Sequence, residues 1–220
     1  MRARRGQSPI EAQRSSPEQS KDAVAAQVLR ALRGDAAAEE WIAHRAYAAA
    51  LRLATFSLGD ANLAQDVGQE VAIRVVGGLP KLRDAQRFDG WTYRICASEI
   101  KRAANKRQRH DWHPYEAVED ELQVEATFPE SFSERDWLVR ALAQLSERQR
   151  LVLGLYYVSG LDDKEIATAI RVRRGTVRSL LSRALARLRE LAELESKRTS
   201  VAKRQRQETT RRQFDERNVG

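Results

Sequence analysis

Residues 161–189, LDDKEIATAIRVRRGTVRSLLSRALARLR, decide how the rest of the chain is read. The spacing predicts two helices joined by a tight turn. Asp162 is placed to cap the first, which carries Glu165 and buries Ile166, Ala167 and Ile170. Residues 171–175 are too few for a third element and suit a turn. Thr176 opens the second helix, with Val177, Leu180, Leu181, Ala184 and Leu188 recurring at helical spacing. Its other face carries Arg178, Ser179, Ser182 and Arg183. This is a helix-turn-helix pattern, in which the second helix enters the major groove of DNA and the first braces it against the backbone.

Charge supports that reading. Residues 171–189 hold seven arginines and no acid, a field attractive to phosphate. Arg171, Arg173, Arg174, Thr176, Arg178, Ser179, Ser182 and Arg183 are the candidate DNA contacts. A bidentate arginine–guanine pair discriminates by about 1–3 kcal/mol. The bland alternative is a solvated basic helix in an ordinary bundle; the tight turn at Gly175, flanked by Arg173 and Arg174, argues against it.

The 220 residues carry a net charge of +8. With a pI near 10.0, this points to nucleic acid or another polyanion. A Leu- and Ala-rich composition with five prolines and few β-branched runs predicts an all-α fold. Cys96 is the single cysteine, so no internal disulfide is expected, which fits a reducing cytoplasm. No apolar run approaches the roughly 18 residues needed to span a bilayer, so no membrane insertion is expected. The N-terminus lacks the apolar core of a signal peptide.

In chain order, residues 1–21 are polar, with Gly6, Pro9 and Pro17, and read as disordered. Four helical runs follow within 22–110. The first places Val24, Val28, Leu29 and Leu32 on one face. The second, 36–58, carries Trp41, Ile42, Ala46, Ala49, Leu53 and Phe56. The third buries Leu63, Val67, Val71 and Val75 and leaves Asp66, Gln69 and Glu70 on a polar strip. KLRDAQR (81–87) reads as a basic loop, and the fourth helix runs from Phe88 to about Arg109. Residues 111–132 read as a flexible acidic linker; 111–131 hold seven acids, two prolines and no lysine or arginine. A second bundle is expected over 133–196, and 197–220 as a basic, mostly disordered tail. The architecture predicted is therefore two small helical bundles joined by an acidic linker.

These residues resemble a known family, the bacterial RNA polymerase sigma factors of the extracytoplasmic-function (ECF) type. LSERQRLVLGLYYVSGLDDKEIATAIRVRRGTVRSLLSRALARLR looks like that family's fourth region almost end to end. Leu145 with Arg148 and Arg150, Gly160-Leu161, Glu165-Ile166-Ala167, Gly175-Thr176-Val177 and the Arg183, Arg187-Leu188 register carry the likeness. In the first bundle, DVGQE (66–70) resembles the strip that docks on the β′ coiled coil, and RFDGWTYRI (87–95) the start of the segment that engages the −10 element. The resemblance implies polymerase contacts at Asp66, Gln69 and Glu70. It also implies −10 contacts among Lys81, Arg83, Arg87, Trp91, Tyr93, Arg94 and Lys101, and −35 contacts among the arginines and hydroxyls of the second helix. Implied partners are core polymerase (β′ and β subunits) and promoter DNA, with an anti-sigma protein known for many members. The departures lie in the first bundle: Ala72 and Val76 stand for bulky aromatics, Thr92 for leucine, Ser98 for asparagine and Arg102 for aspartate. Gly68 interrupts the docking strip at about 1 kcal/mol relative to alanine.

Each site has a plainer reading. Asp66, Gln69 and Glu70 suit a solvated helix face, Trp91 and Tyr93 a core, and the basic residues of 101–109 an exposed surface. His44, His110 and His113 show no paired-ligand spacing, so no metal is expected. No phosphate loop, nucleophile elbow or carboxylate pair indicates catalysis or a cofactor. Two further functions stay open at this level. One is a stand-alone regulator that uses only the helix-turn-helix, with the first bundle as a dimerisation or sensor module. The other is a nucleic-acid-processing enzyme whose metal or nucleophile site is not evident.

Overall fold

The computed structural model describes residues 20–108 and 132–217, and every regular element among them is helical. Four helices make the N-terminal unit: α1 Lys21–Ala31, α2 Ala36–Leu58, α3 Ala61–Gly78 and α4 Phe88–Gln108. Two single 3-10 turns, Leu79–Lys81 and Ala85–Arg87, lie between α3 and α4, where the sequence suggests only a loop. The C-terminal unit holds α5 Phe132–Ala143, α6 Glu147–Leu153, α7 Asp163–Ile170 and α8 Arg174–Arg217. The acidic stretch 111–131 and the N-terminal segment 1–19 fall outside the described residues.

Local chemistry sets the boundaries. The N–H groups of Ala38 and Leu63 donate to the Asp35 and Asp60 carboxylates at 3.1 and 2.9 Å, opening α2 and α3. Ser146 with Gln149, and Asp162 with Glu165, form reciprocal capping boxes at the starts of α6 and α7. Gly59 adopts φ 63° to end α2, a left-handed conformation that costs a glycine nothing. Arg171 does the same for α7 at φ 56° without being a glycine. The turn is consequently shorter than the sequence suggests, because Arg174 and Gly175 already belong to α8.

Two further expectations are corrected. Leu29 and Leu32 are 46% and 41% exposed, and Ala25 and Ala31 take the buried places on α1 beside Val24 and Val28. The stretch expected to be a disordered tail is instead helical as far as Arg217. No glycine or proline lies between Thr176 and Arg217 to stop it. Lack of an apolar stripe removes a reason for burial, not for helix, and Lys, Arg, Gln and Glu are good helix formers.

The two units share one apolar core. Leu53, Cys96, Ile100 and Ala104 of the first lie in the same buried cluster as Leu155, Ile166 and Ala167 of the second. Contact is close where α6 runs into a wider turn at Gly154–Val158, closed by the Ser159 N–H on the Gly154 carbonyl at 3.0 Å. A Cβ on Gly154 would meet Leu53 Cδ1 at 2.8 Å and Phe56 Cδ1 at 3.0 Å, so any larger residue makes these α2 side chains shift. Arg150, 6% exposed, completes the joint. Its Nε donates to the Ser57 carbonyl at 2.9 Å, and its Nη1 to the Leu145 and Leu142 carbonyls at 2.7 and 3.2 Å.

Arg150→Ala strips those carbonyls of a buried charged donor. It is expected to lower stability by about 2–4 kcal/mol, read as a fall in the urea midpoint.

Candidate nucleic-acid interface

On α8 the buried side is Val177, Leu180, Ala184 and Leu191. Helical spacing then leaves Arg174, Arg178, Ser179, Ser182 and Arg183 together on the opposite side, and all are exposed. Arg171 and Arg173 are exposed at the turn, while Thr176 is half-buried. Arg183 Nε donates to the Ser179 carbonyl at 3.2 Å and so lies back along the helix. The expected DNA-reading residues are thus brought to one basic face, apart from Thr176 at its edge.

One residue of this face was missed by sequence reasoning. Asp163 Oδ1 accepts from Arg174 Nη2 and Oδ2 from Arg178 Nε, both at 2.7 Å. The Arg174 and Arg178 hydrogen bonds hold the Asp163 carboxyl below the usual carboxylate range, against the opposing effect of burial. In the sequence Asp163 looks like a spare acid beside the cap Asp162, and nothing there indicates which way it faces.

The first unit presents its candidates less uniformly. Asp66 and Gln69 are exposed on α3 and Glu70 is half-exposed. Glu70 Oε1 accepts from Arg74 Nε at 2.6 Å. Arg74 also lies 3.4 Å from the buried Glu99, and Arg102 sits 3.6 Å from the other oxygen of that carboxylate. Gly68 has a packing reason, since a Cβ there would meet the Tyr47 ring at 2.9 Å. Ala72 and Val76, the small residues at positions where bulk is usual, line a groove of about 570 Å3 with Ala36, Ala43 and Ile73, flanked by Glu39 and Glu40.

Lys81, Arg83 and Arg87 are exposed around the two 3-10 turns, and Lys101 on α4 is exposed as well. Arg94 is half-buried. Trp91 lies against Gly78, where a Cβ would come within 2.9 Å of its ring, and 6.1 Å from the Phe88 ring. The start of α4 is braced by Arg45, which grips the Asp89 carboxylate at 3.1–3.2 Å. Tyr93 is half-buried, its hydroxyl facing Ser159 of the second unit, and burial pushes its pKa up.

Burial pushes the Cys96 thiol up to about 12. Among the described residues no three of His, Cys, Asp and Glu gather as a metal group. His44 is exposed 3.7 Å from Glu40, and His110 and His113 lie outside the described residues. No described helix is long and apolar enough to cross a membrane.

Comparison with known proteins accounts for both units. Residues 42–110 match sigma-70 region 2 and residues 135–188 match sigma-70 region 4. The chain is 33% identical over 184 residues to the ECF RNA polymerase sigma factor ShbA of Streptomyces griseus, covering 77% of this chain and 95% of that one. Two solved structures share the fold. CnrH in complex with the cytosolic domain of CnrY is 19% identical with a TM-score of 0.58, over 78% of this chain and 97% of that one. The sigma factor RpoE of Bartonella quintana, in complex with the anti-sigma factor NepR, is 23% identical with a TM-score of 0.51, over 67% and 92%. The region-2 match leaves no role for the first unit as a separate sensor of a stand-alone regulator. A basic helix-turn-helix face, a preceding region-2 unit and near full-length similarity to ShbA meet in one conclusion: this chain belongs to the ECF family of RNA polymerase sigma factors.

Proposed function

We propose that this sigma factor divides its work between the two units as follows. Asp66, Gln69 and Glu70 on α3 dock on the β′ coiled coil of core polymerase. The apolar groove bordered by Ala72 and Val76 adjoins that strip. Lys81, Arg83, Arg87 and Lys101 hold the strand phosphates at the −10 element, and Trp91 and Tyr93 offer stacking faces worth about 1–3 kcal/mol per base. Arg94 supports them from α4. The α8 face of Arg174, Arg178, Ser179, Ser182 and Arg183, with Arg171, Arg173 and Thr176 at its border, reads the −35 element in the major groove.

The observation that carries this reading is the single basic face of α8, exposed at the end of a capped helix-turn-helix and preceded in the chain by a region-2 unit. The chemistry of RNA synthesis belongs to polymerase, so this chain acts by positioning and not as an enzyme. Its place is the cytoplasm, where the polymerase works. RpoE was solved with an anti-sigma factor, and we assign this chain a regulatory protein partner of the same kind.

Run-off transcription with core polymerase tests the division directly. Transcripts that need both core and this protein are expected, and Arg178→Ala with Arg183→Ala should abolish them while leaving association with core intact. Asp66→Ala with Glu70→Ala should remove association with core, and the transcripts with it. Specific DNA binding without any association with core would refute the assignment.

Gly78→Val tests the aromatic site separately. The added methyls displace the Trp91 ring, so tryptophan emission should shift to the red and promoter opening should slow by roughly tenfold, as the loss of one stacked base implies. The emission shift should vanish in a Trp91→Phe background.

A further inference from the structure

We propose that Asp163 is a positioning residue for promoter reading, holding the Arg178 guanidinium in the single orientation that a base edge requires. This rests on the reading of α8 as the −35 helix. Arg174 and Arg178 lie one turn apart on α8, and one carboxylate from the start of α7 spans that turn with both 2.7 Å contacts. The Asp163 side chain is 18% exposed, whereas those of Arg174 and Arg178 are 55% and 69% exposed. The acid therefore sits beneath the arginines, and their guanidinium groups lie over it, towards solvent.

The geometry leaves the right atoms free. Asp163 engages Nε of Arg178, so both Nη groups remain for a ligand. A bidentate contact to guanine O6 and N7 uses two parallel N–H groups of one planar fork. A long side chain that is frozen only on binding loses rotamer entropy at that moment; a carboxylate that already holds it removes part of that loss. The same negative charge opposes non-specific attraction to phosphate. Both effects raise the ratio of specific to non-specific binding, which is the quantity that selects a promoter. Helix capping does not explain the residue, because Asp162 and Glu165 already form the capping box of α7.

The test uses the full chain assembled with core polymerase, on a promoter library randomised across the −35 element, with transcripts sequenced. Asp163→Ala is expected to lower base discrimination at one or two positions by roughly tenfold, the scale of one arginine–guanine pair. Transcription from unselected sequences should hold or rise. Arg178→Ala should lose discrimination at the same positions, and the double variant should be no worse than Arg178→Ala alone. A structural role would instead add its own loss to the double variant. Asp163→Asn, which keeps the size and one acceptor oxygen, should fall between wild type and Arg178→Ala, and it covers the case in which Asp163→Ala folds poorly. If Arg178→Ala loses discrimination while Asp163→Asn keeps it in full, the positioning role is overturned and the −35 reading survives. If Arg178→Ala keeps full discrimination, the use of Arg178 in reading fails, and the positioning role with it.

Discussion

The Arg150 guanidinium is the contact on which the assembled molecule depends. A buried cation is tolerated only where carbonyls or acids replace its water. Here the replacement comes from the C-terminal ends of two helices. The Ser57 carbonyl belongs to the last turn of α2; the Leu142 carbonyl lies in the last turn of α5, and the Leu145 carbonyl just beyond it. Both ends carry the negative pole of a helix, so the charge is matched as well as the hydrogen bonds. Arg107 repeats the device, donating to the Leu58 carbonyl at 2.8 Å from the far end of α4. The end of α2 is thereby held by one arginine from each unit, and Gly154 lets the backbones close over the joint.

Much of this was legible in the sequence wherever the signal is local. The cap at Asp162 and the apolar repeats in α2, α3 and α4 place those helices within a residue or two of where they lie. The α8 face was legible for the same reason, since helical spacing alone separates Val177 and Ala184 from Arg178 and Ser182. What periodicity cannot report is partnership. Leu29 and Leu32 fit an apolar stripe, yet both stay exposed, and two small alanines take the buried places instead. The helix beyond residue 196 escaped notice because a charged helix with no stripe looks like a disordered segment. Asp163 escaped because its partners lie 11 and 15 residues away across a turn.

The departures from the family pattern acquire physical meaning once the packing is known. Gly68 is poor for an isolated helix, but the Tyr47 ring lies where its side chain would be. Arg102 stands for an acid and lies beside Glu99, which Arg74 shares with Glu70. A chain of alternating charges thus runs from the α3 strip to α4, so a change at Glu70 is felt at Glu99 as well as at the proposed docking strip. Ala72 and Val76 leave a groove where larger residues would fill the space.

The arrangement also treats the two regions proposed to face DNA unequally. The basic face of α8 is open to a duplex as it stands. Tyr93 is less so, because it is half-buried with its hydroxyl facing Ser159 of the second unit. Stacking of a base over the whole Tyr93 ring, as proposed above, would need α4 and the 154–159 segment to part. The ion pairs across that joint offer little resistance: Lys21 with Glu165 at 3.5 Å and Arg107 with Glu147 at 3.9 Å are long, and the first is exposed. Resistance comes from the shared apolar core and from Arg150, whose separation from Ser57 would leave a buried carbonyl in need of water. Opening the joint exposes both groups to solvent at once, so that penalty falls as soon as water enters. The units are thus held by the shared apolar core and the buried Arg150 more than by surface ion pairs.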